Sequence, residues 1–546
     1  MKVLVTVATR ERWRSIPFRR VHPVSPEGRT GTSDYLYRGS QLQRPEMKTN
    51  HSKHTAKAVS HDKVTVPAKR RQRRKKALDR RDAVLDGLEQ INLHAAGIDV
   101  GAGENFVCVP RSSVKAGESP VRSFGVFTQD QDALVEWLKA CQVSTVAMEA
   151  TGIYWVSLFD KIEAAGVEVI LVDPHSVRQV PGRKSDVMDC QWLQQLHTYG
   201  LLRGAFRPEA SVRRLRVLCR HRADLVCEGA SHLQQAQKAL VQMNVQLHLV
   251  VSDINGETGL RIIDAILAGQ RDPSALAKLR DPRIKKSTVP QMEAALTGHY
   301  PEEHLFALRQ NMEAWRFFQS QLAGCDLQIE AALKAMASAE KTAVPPVPPK
   351  AVPAAVPGTE GAKQKRSRPL HGNNALTLDF SEQMRRICGV DLMKVCGLNL
   401  LSVLMIVAEI GVDMSRWRSA KAFSSWLGLC PGTKISGGKT LSRRTRHVVN
   451  RASILLRLAA LAAGQTDTWL GRFYRRKRSH LGAPKAITAT AHKLACVIYH
   501  MLKYQEEFLP LDVAIYDIKA QEHRMRHLRK QAEELGFDLV ERKEAA

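Results

Sequence analysis

No two of the ten cysteines form a C-x-x-C pair, and none stands among histidines at zinc-ligand spacing. Neither a disulfide framework nor a structural zinc site is therefore expected, and a reducing cytoplasm fits. Long apolar runs are missing too: the longest, around Leu400 to Ala408, is about half of the roughly 20 residues that a membrane-spanning helix needs. No integral membrane insertion is expected. The opening MKVLVTVATRERWRSI passes at once into basic residues where a small-residue cleavage site would stand, so no signal peptide is expected. No repeat of fixed period runs through the chain. Acidic residues are the last shortage. Asp and Glu total 54 against 82 Lys and Arg, a formal net charge of +28 that calls for a polyanionic partner, nucleic acid first.

At roughly 150 residues per domain, 546 residues with 44% hydrophobic content give about three folded units. Residues 1–90 are a basic extension ending in AKRRQRRKKALDRRD, without hydrophobic period, and read as a disordered arm; Met47 is a second candidate start. Over 91–207 the runs GIDVG, ENFVCVP and VRSFGVF predict three strands, followed by helix, strand, helix and strand. That order predicts an α/β domain with a mixed sheet, as in the ribonuclease H-like fold. Residues 208–340 carry charged helical periodicity and predict a helical, partly coiled-coil arm. Residues 341–377, with AVPPVPPKAVPAAVPG, read as an extended Pro/Lys-rich linker. A mainly α-helical domain over 378–510 and a charged helix over 511–546 complete the chain.

Four acids carry the chemistry. Asp99 follows Ile98 in a strand-like run, and Glu149 ends the strand-like Thr145-Val146-Ala147-Met148. Both therefore stand near the C-terminal ends of strands, where open α/β sheets place their sites. Alone, either acid reads first as a cap of the following turn. Asp186 and Asp189 are three apart at the start of a helix and share one face, although the helix dipole also favours acids there. Four carboxylates from two strands and one helix suit hard, oxygen-seeking Mg²⁺, with Mn²⁺ as a substitute, and the chemistry of phosphodiester cleavage or transfer. The preceding Arg183 and Lys184 are candidate nucleic-acid contacts.

G-I-D-V-G, M-E-A-T-G and R-K-S-D-x-x-D, in this order, resemble the DEDD transposases of bacterial insertion sequences, specifically the insertion sequence one-ten family. The resemblance covers roughly Ala95 to Tyr504. It implies a RuvC-like catalytic domain and a C-terminal domain whose serine joins covalently to DNA. It also implies multimers, dimeric or tetrameric, that act on element ends and target DNA under a structured bridge RNA, in the bacterial cytoplasm and at the nucleoid when bound. The family's Lys-Thr-Asp and Asp-Ala appear here as Lys184-Ser185-Asp186 and Asp189-Cys190.

The serine that the resemblance implies is Ser436, in Gly428-Leu429-Cys430-Pro431 through Lys434-Ile435-Ser436-Gly437-Gly438-Lys439. Two glycines let backbone approach a phosphate, and Lys434, Lys439, Arg443, Arg444 and Arg446 supply charge. By itself the loop reads first as a basic surface turn, and it is the resemblance that points to a nucleophile. GGKT is no P-loop, because Thr433 stands where that motif requires glycine. Ser442 is the nearest alternative nucleophile, and Ser424 and Ser425 look like packing residues. Lys394 to Asn399 resembles a helix-hairpin-helix turn, with Asn399 in place of a left-handed glycine. Arg472 to Arg478, interleaved with Phe473 and Tyr474, is a second candidate DNA contact. A junction endonuclease that uses water, or a non-catalytic nucleic-acid scaffold, would fit the same composition.

Overall fold

Short apolar runs bounded by glycine build the sheet in the predicted order. The computed structural model describes residues 88–150, 152–173, 186–284, 287–339, 374–446, 448 and 450–539. Arg183, Lys184, nearly all of the basic extension and most of the Pro/Lys-rich linker lie outside them. The chain divides between Phe206 and Arg207 into two units.

In the first unit, β1 (Ala95–Val100), β2 (Glu104–Cys108) and β3 (Val121–Gly125) are followed by α1 (Thr128–Ala140), β4 (Thr145–Glu149), α2 (Trp155–Ala164), β5 (Glu168–Val172) and α3 (Asp186–Thr198). The sheet order is β3-β2-β1-β4-β5, with β1 antiparallel to β2 and parallel to β4. This mixed sheet is consistent with the ribonuclease H-like fold. Strand side chains alternate between faces. Ile98, Val100, Val146 and Met148 share one face and pack with Leu134 and Leu138 of α1 and Leu158 and Ile162 of α2. The i, i+4 spacing of those helical residues puts each pair on one side of its helix.

The opposite face belongs to α3. A Cβ placed on Gly97 would run into the backbone of Cys190 and Gln194, so only glycine lets the helix lie this close to β1. His197 Nε2 meets Thr145 Oγ1 at 2.9 Å, and Gln194 Nε2 donates to the Ala95 carbonyl at 3.3 Å. The last turn of α3 thus lies over the starts of β1 and β4, and the helix runs antiparallel to both. Its C-terminal carbonyls are closed by Asn92, whose side-chain amide donates to His197 O, and by the Ile91 and Asn92 amides on Thr198 O.

The second unit is mostly helical. Its arm pairs α4 (Ala210–Gln242) with a later long helix, across a tip made of α5 (Leu247–Val250), α6 (Glu257–Leu267), α7 (Pro273–Lys278) and α8 (Val289–Leu296). The return helix is α9 (Glu302–Ala339). The contacts of Gly229 with Phe318, and of Cys325 Sγ with Leu218 O, show that α4 and α9 are antiparallel. Ile262, Ile263, Ile266, Met292 and Leu308 fill the core at the tip. Deep in the arm, Arg222 Nε donates to Asp326 Oδ1 at 2.6 Å with both side chains buried. The pair also holds the end of the linker: Arg222 donates to Asn374 O and Ala375 O, while Asp326 accepts from the amide and hydroxyl of Thr377. A buried charge is tolerable only when paired in this way.

The remainder comprises α10 (Ser381–Cys388), α11 (Leu400–Ile410), α12 (Ala420–Trp426), the hairpin β6 (Lys434–Ser436) and β7 (Lys439–Ser442), α13 (Arg451–Gly464), α14 (Trp469–Leu481), α15 (Ala483–Tyr504) and α16 (Val513–Glu534). Within the charged C-terminal stretch, Val513–Glu534 is helical. Glu409, buried near the end of α11, takes both hydrogen bonds of the Arg220 guanidinium at 2.8 Å, tying α11 to the arm. No helix among the described residues is long and apolar enough to cross a membrane.

Candidate active site

β1 and β4 run side by side in parallel, with Gly97 opposite Ala147 and Ile98 opposite Met148. Asp99 and Glu149 stand one step further along each strand and share the face that Gly97 and Thr145 turn to α3. Both carboxylates are half-buried. Because α3 runs antiparallel to β1, its first turn lies at the Asp99 end. Cys190, one turn into the helix, has its thiol pushed far above the usual range by burial first, then by the neighbouring Cys108 and by Asp99. Asp189 precedes it, half-buried, and Asp186 is the first residue of the helix.

The ends of β1, β4 and α3 therefore meet, and all four sequence-predicted acids stand on them. The side chain of Asp186 lies outside the described residues. Among the described residues, no three His, Cys, Asp or Glu side chains converge closely enough to hold a metal ion. In chemistry the set does fit a hard divalent cation, since every donor is a carboxylate oxygen and none is a thiolate or imidazole. Sequence reasoning passed over Gly97, although a glycine two residues before a strand-end acid lies on that acid's face and marks a close approach. It also passed over His197. Burial holds this imidazole below its usual pKa, neutral and bonded to Thr145.

Ser436 lies in the second unit on a feature that the sequence suggested only as a loop. β6 and β7 form a two-stranded antiparallel ribbon in which Ser436 pairs with Lys439 around Gly437 and Gly438. Both glycines have positive φ, 54° and 73°, as a two-residue turn of this hand requires. Ser436, Lys434, Lys439, Arg443, Arg444 and Arg446 are all exposed. The base of the ribbon is fixed by Gly432 N on Arg444 O at 2.9 Å and by Arg446 on Ser425 O. Ser442 Oγ accepts from the Arg444 amide, and Ser424 is fully buried against Cys496, so neither is presented as Ser436 is.

Two details differ from expectation. Asn399 is not left-handed. It is the extended N-cap of α11, with φ −122°, and its side chain accepts from Ser402 N; the left-handed residue is Gly397, pressed against Ala459 of α13. In the Arg472 to Arg478 run, the aromatic pair points inward, with Phe473 and Tyr474 both buried. Arg475 is spent on the carbonyls of Gly464 and Thr466.

A comparison with curated proteins gives no match. Two family models do match: residues 96–245 fit the DEDD model of IS110, described as Transposase, and residues 391–475 fit one described as Transposase IS116/IS110/IS902 family. The first spans the sheet, all four acids and the start of the arm, and the second spans the ribbon that carries Ser436. Matched in both units, the chain belongs to the IS110 family of insertion-sequence transposases and is a DNA transposase.

Proposed function

We propose that the protein cuts and rejoins DNA through a covalent serine–DNA intermediate, with Asp99, Glu149, Asp186 and Asp189 as holders of divalent metal and Ser436 as nucleophile. The observation that carries this reading is the level placement of Asp99 and Glu149 on adjacent parallel strands, on the face covered by the helix that Asp186 opens. Bound Mg²⁺ would supply charge neutralisation for the phosphodiester and its leaving oxygen. The protein's own part is positional. The sheet fixes two carboxylates, α3 brings two more, and the ribbon presents a hydroxyl beside five exposed cations that hold the phosphate backbone. The Ser436 oxygen forms a bond to phosphorus, the bridging P–O bond breaks, and the departing sugar oxygen takes up a proton. A hydroxyl of the second DNA then attacks the same phosphorus and releases the serine, so no phosphodiester bond is lost overall.

A bridge RNA, and a dimer or tetramer in which the acids of one subunit meet the serine of another, belong to the same proposal. The test is strand exchange with purified protein, Mg²⁺ and the element-encoded RNA. Ser436→Ala should abolish exchange and the protein–DNA adduct, whereas full activity in that variant would exclude the serine route. Persistent hydrolysis without exchange would favour a water-using endonuclease. Retained cutting in the double variant Asp186→Asn, Glu149→Gln would sink the metal assignment.

A further inference from the structure

The second half of α14 and α16 enclose a cleft of about 1000 Å³ whose lining, from Arg476 to Arg524, follows the residues matched by either family model. Arg476, Lys477 and His480 line it from α14, and His523 and Arg524 face them from α16, with no carboxylate in the lining. The charge is held in place from beneath. The Arg476 guanidinium sits 5.1 Å above the Tyr516 ring, Tyr516 packs against Trp469, and Arg472 engages both Asp517, at 3.6 Å, and Asp467, at 3.1 Å. The Tyr516 hydroxyl and the Trp469 indole N–H are buried without a hydrogen-bond partner among the described residues. Two basic walls held apart by an aromatic floor have no internal counter-charge. Such a surface attracts an extended polyanion, and its volume is far larger than a single phosphate fills.

We infer that the α14–α16 cleft is a nucleic-acid site separate from the acids and the serine ribbon, and that it grips a phosphodiester backbone through Arg476, Lys477 and Arg524. Contacts from these three cations to phosphate are sequence-independent, and Ser479 and Gln521 line the cleft beside them. RNA and DNA share that backbone, so the probes decide between them. The inference rests on nucleic acid as the substrate class, and on nothing about catalysis.

The experiment uses the full chain, in EDTA, with fluorescent short single-stranded RNA, an RNA hairpin and duplex DNA, read by anisotropy across a salt series. The variant is Lys477→Glu with Arg524→Glu, one from each wall, which leaves the Arg476–Tyr516 contact intact. The matched control is Arg526→Glu with Arg529→Glu, exposed on the same helix outside the cleft, with the same change in charge. The cleft pair should lose about tenfold in affinity for at least one probe. Its log–log salt slope for that probe should fall by roughly 0.7 to 0.9 per phosphate contact removed. The probe that responds names the ligand, and the control pair should stay within about twofold. Equal losses in both pairs would reduce the effect to net charge and overturn the inference. Unchanged binding of all three probes would overturn it as well. If cleft variants bind normally while strand exchange proceeds in the unaltered protein, only the cleft assignment falls; if exchange fails while the cleft pair still loses binding, only the catalytic reading falls.

Discussion

Gly97→Ala adds one methyl group at the contact on which the acidic site depends. Its Cβ would stand 2.9 Å from Gln194 Cα and closer still to Cys190 O and Gln194 N, all of them α3 backbone. Carbon–carbon contacts are comfortable at about 3.5 to 4.0 Å, so α3 must retreat from β1 by roughly 1 Å. No side chain can rotate away, because the obstacles are main chain. Overpacking of this kind costs about 1 to 3 kcal/mol. The same retreat carries Asp186 and Asp189 away from Asp99, and a 1 Å error in a catalytic constellation can cost about a hundredfold in rate. Gly103→Ala is the comparison, since nothing lies within 4 Å of a Cβ there. Mg²⁺-dependent DNA cleavage and thermal melting are measured on both variants. Gly97→Ala should melt several degrees lower and lose about two orders of magnitude in cleavage, while Gly103→Ala should behave like the unaltered protein. Equal activity and equal melting in Gly97→Ala would refute the claim that glycine sets the distance between α3 and β1.

Asp326→Asn leaves Arg222 buried without its counter-charge and should destabilise the second unit by about 3 to 5 kcal/mol in urea unfolding; replacing both partners with apolar residues should cost less than either single change. His197 is held below its usual pKa by burial. The unfolded chain therefore takes up the proton first, and stability is full above about pH 6.5 and lost as pH falls below it. His197→Gln should flatten that acid limb in melts of the first unit, and an unchanged limb would show that another group is responsible. Burial pushes the Cys108 thiol up to about 12, which leaves about one thiolate in ten thousand at pH 8. Iodoacetamide should label Cys108 only after denaturation, and labelling of the native protein at the rate of a free thiol would contradict its burial.

Much of the first unit was legible because strand and helix periodicities are local. The order of three strands, helix, strand, helix and strand could be read from short local runs, the longest of them the helical ones, and so could the strand-end positions of Asp99 and Glu149. The acids announced themselves because a carboxylate inside an apolar run is costly without a reason. The ribbon was less legible: Lys434 to Ser436 and Lys439 to Ser442 are three- and four-residue strands, too short for periodicity to register. In the basic stretch of α14 only the charge was legible, because charge counts do not reveal that Phe473 and Tyr474 turn inward while Arg475 caps carbonyls.

By itself the sequence determined the charge, the class of partner, the element order of the sheet and which carboxylates could serve chemistry, since each of these follows from residue type and near-neighbour spacing. Tertiary structure alone decided which face each acid occupies relative to a covering helix. Gly97 and Cys190 are remote in the chain, as are Thr145 and His197, and their contacts set both the direction of α3 and its distance from β1. Long-range packing also decided that Arg222 and Asp326 bind the end of the linker, and that two basic helices leave an uncompensated cleft. The physical reason is common to all three. Local pattern fixes what a segment presents, but steric fit and charge pairing between distant segments fix what it is presented to.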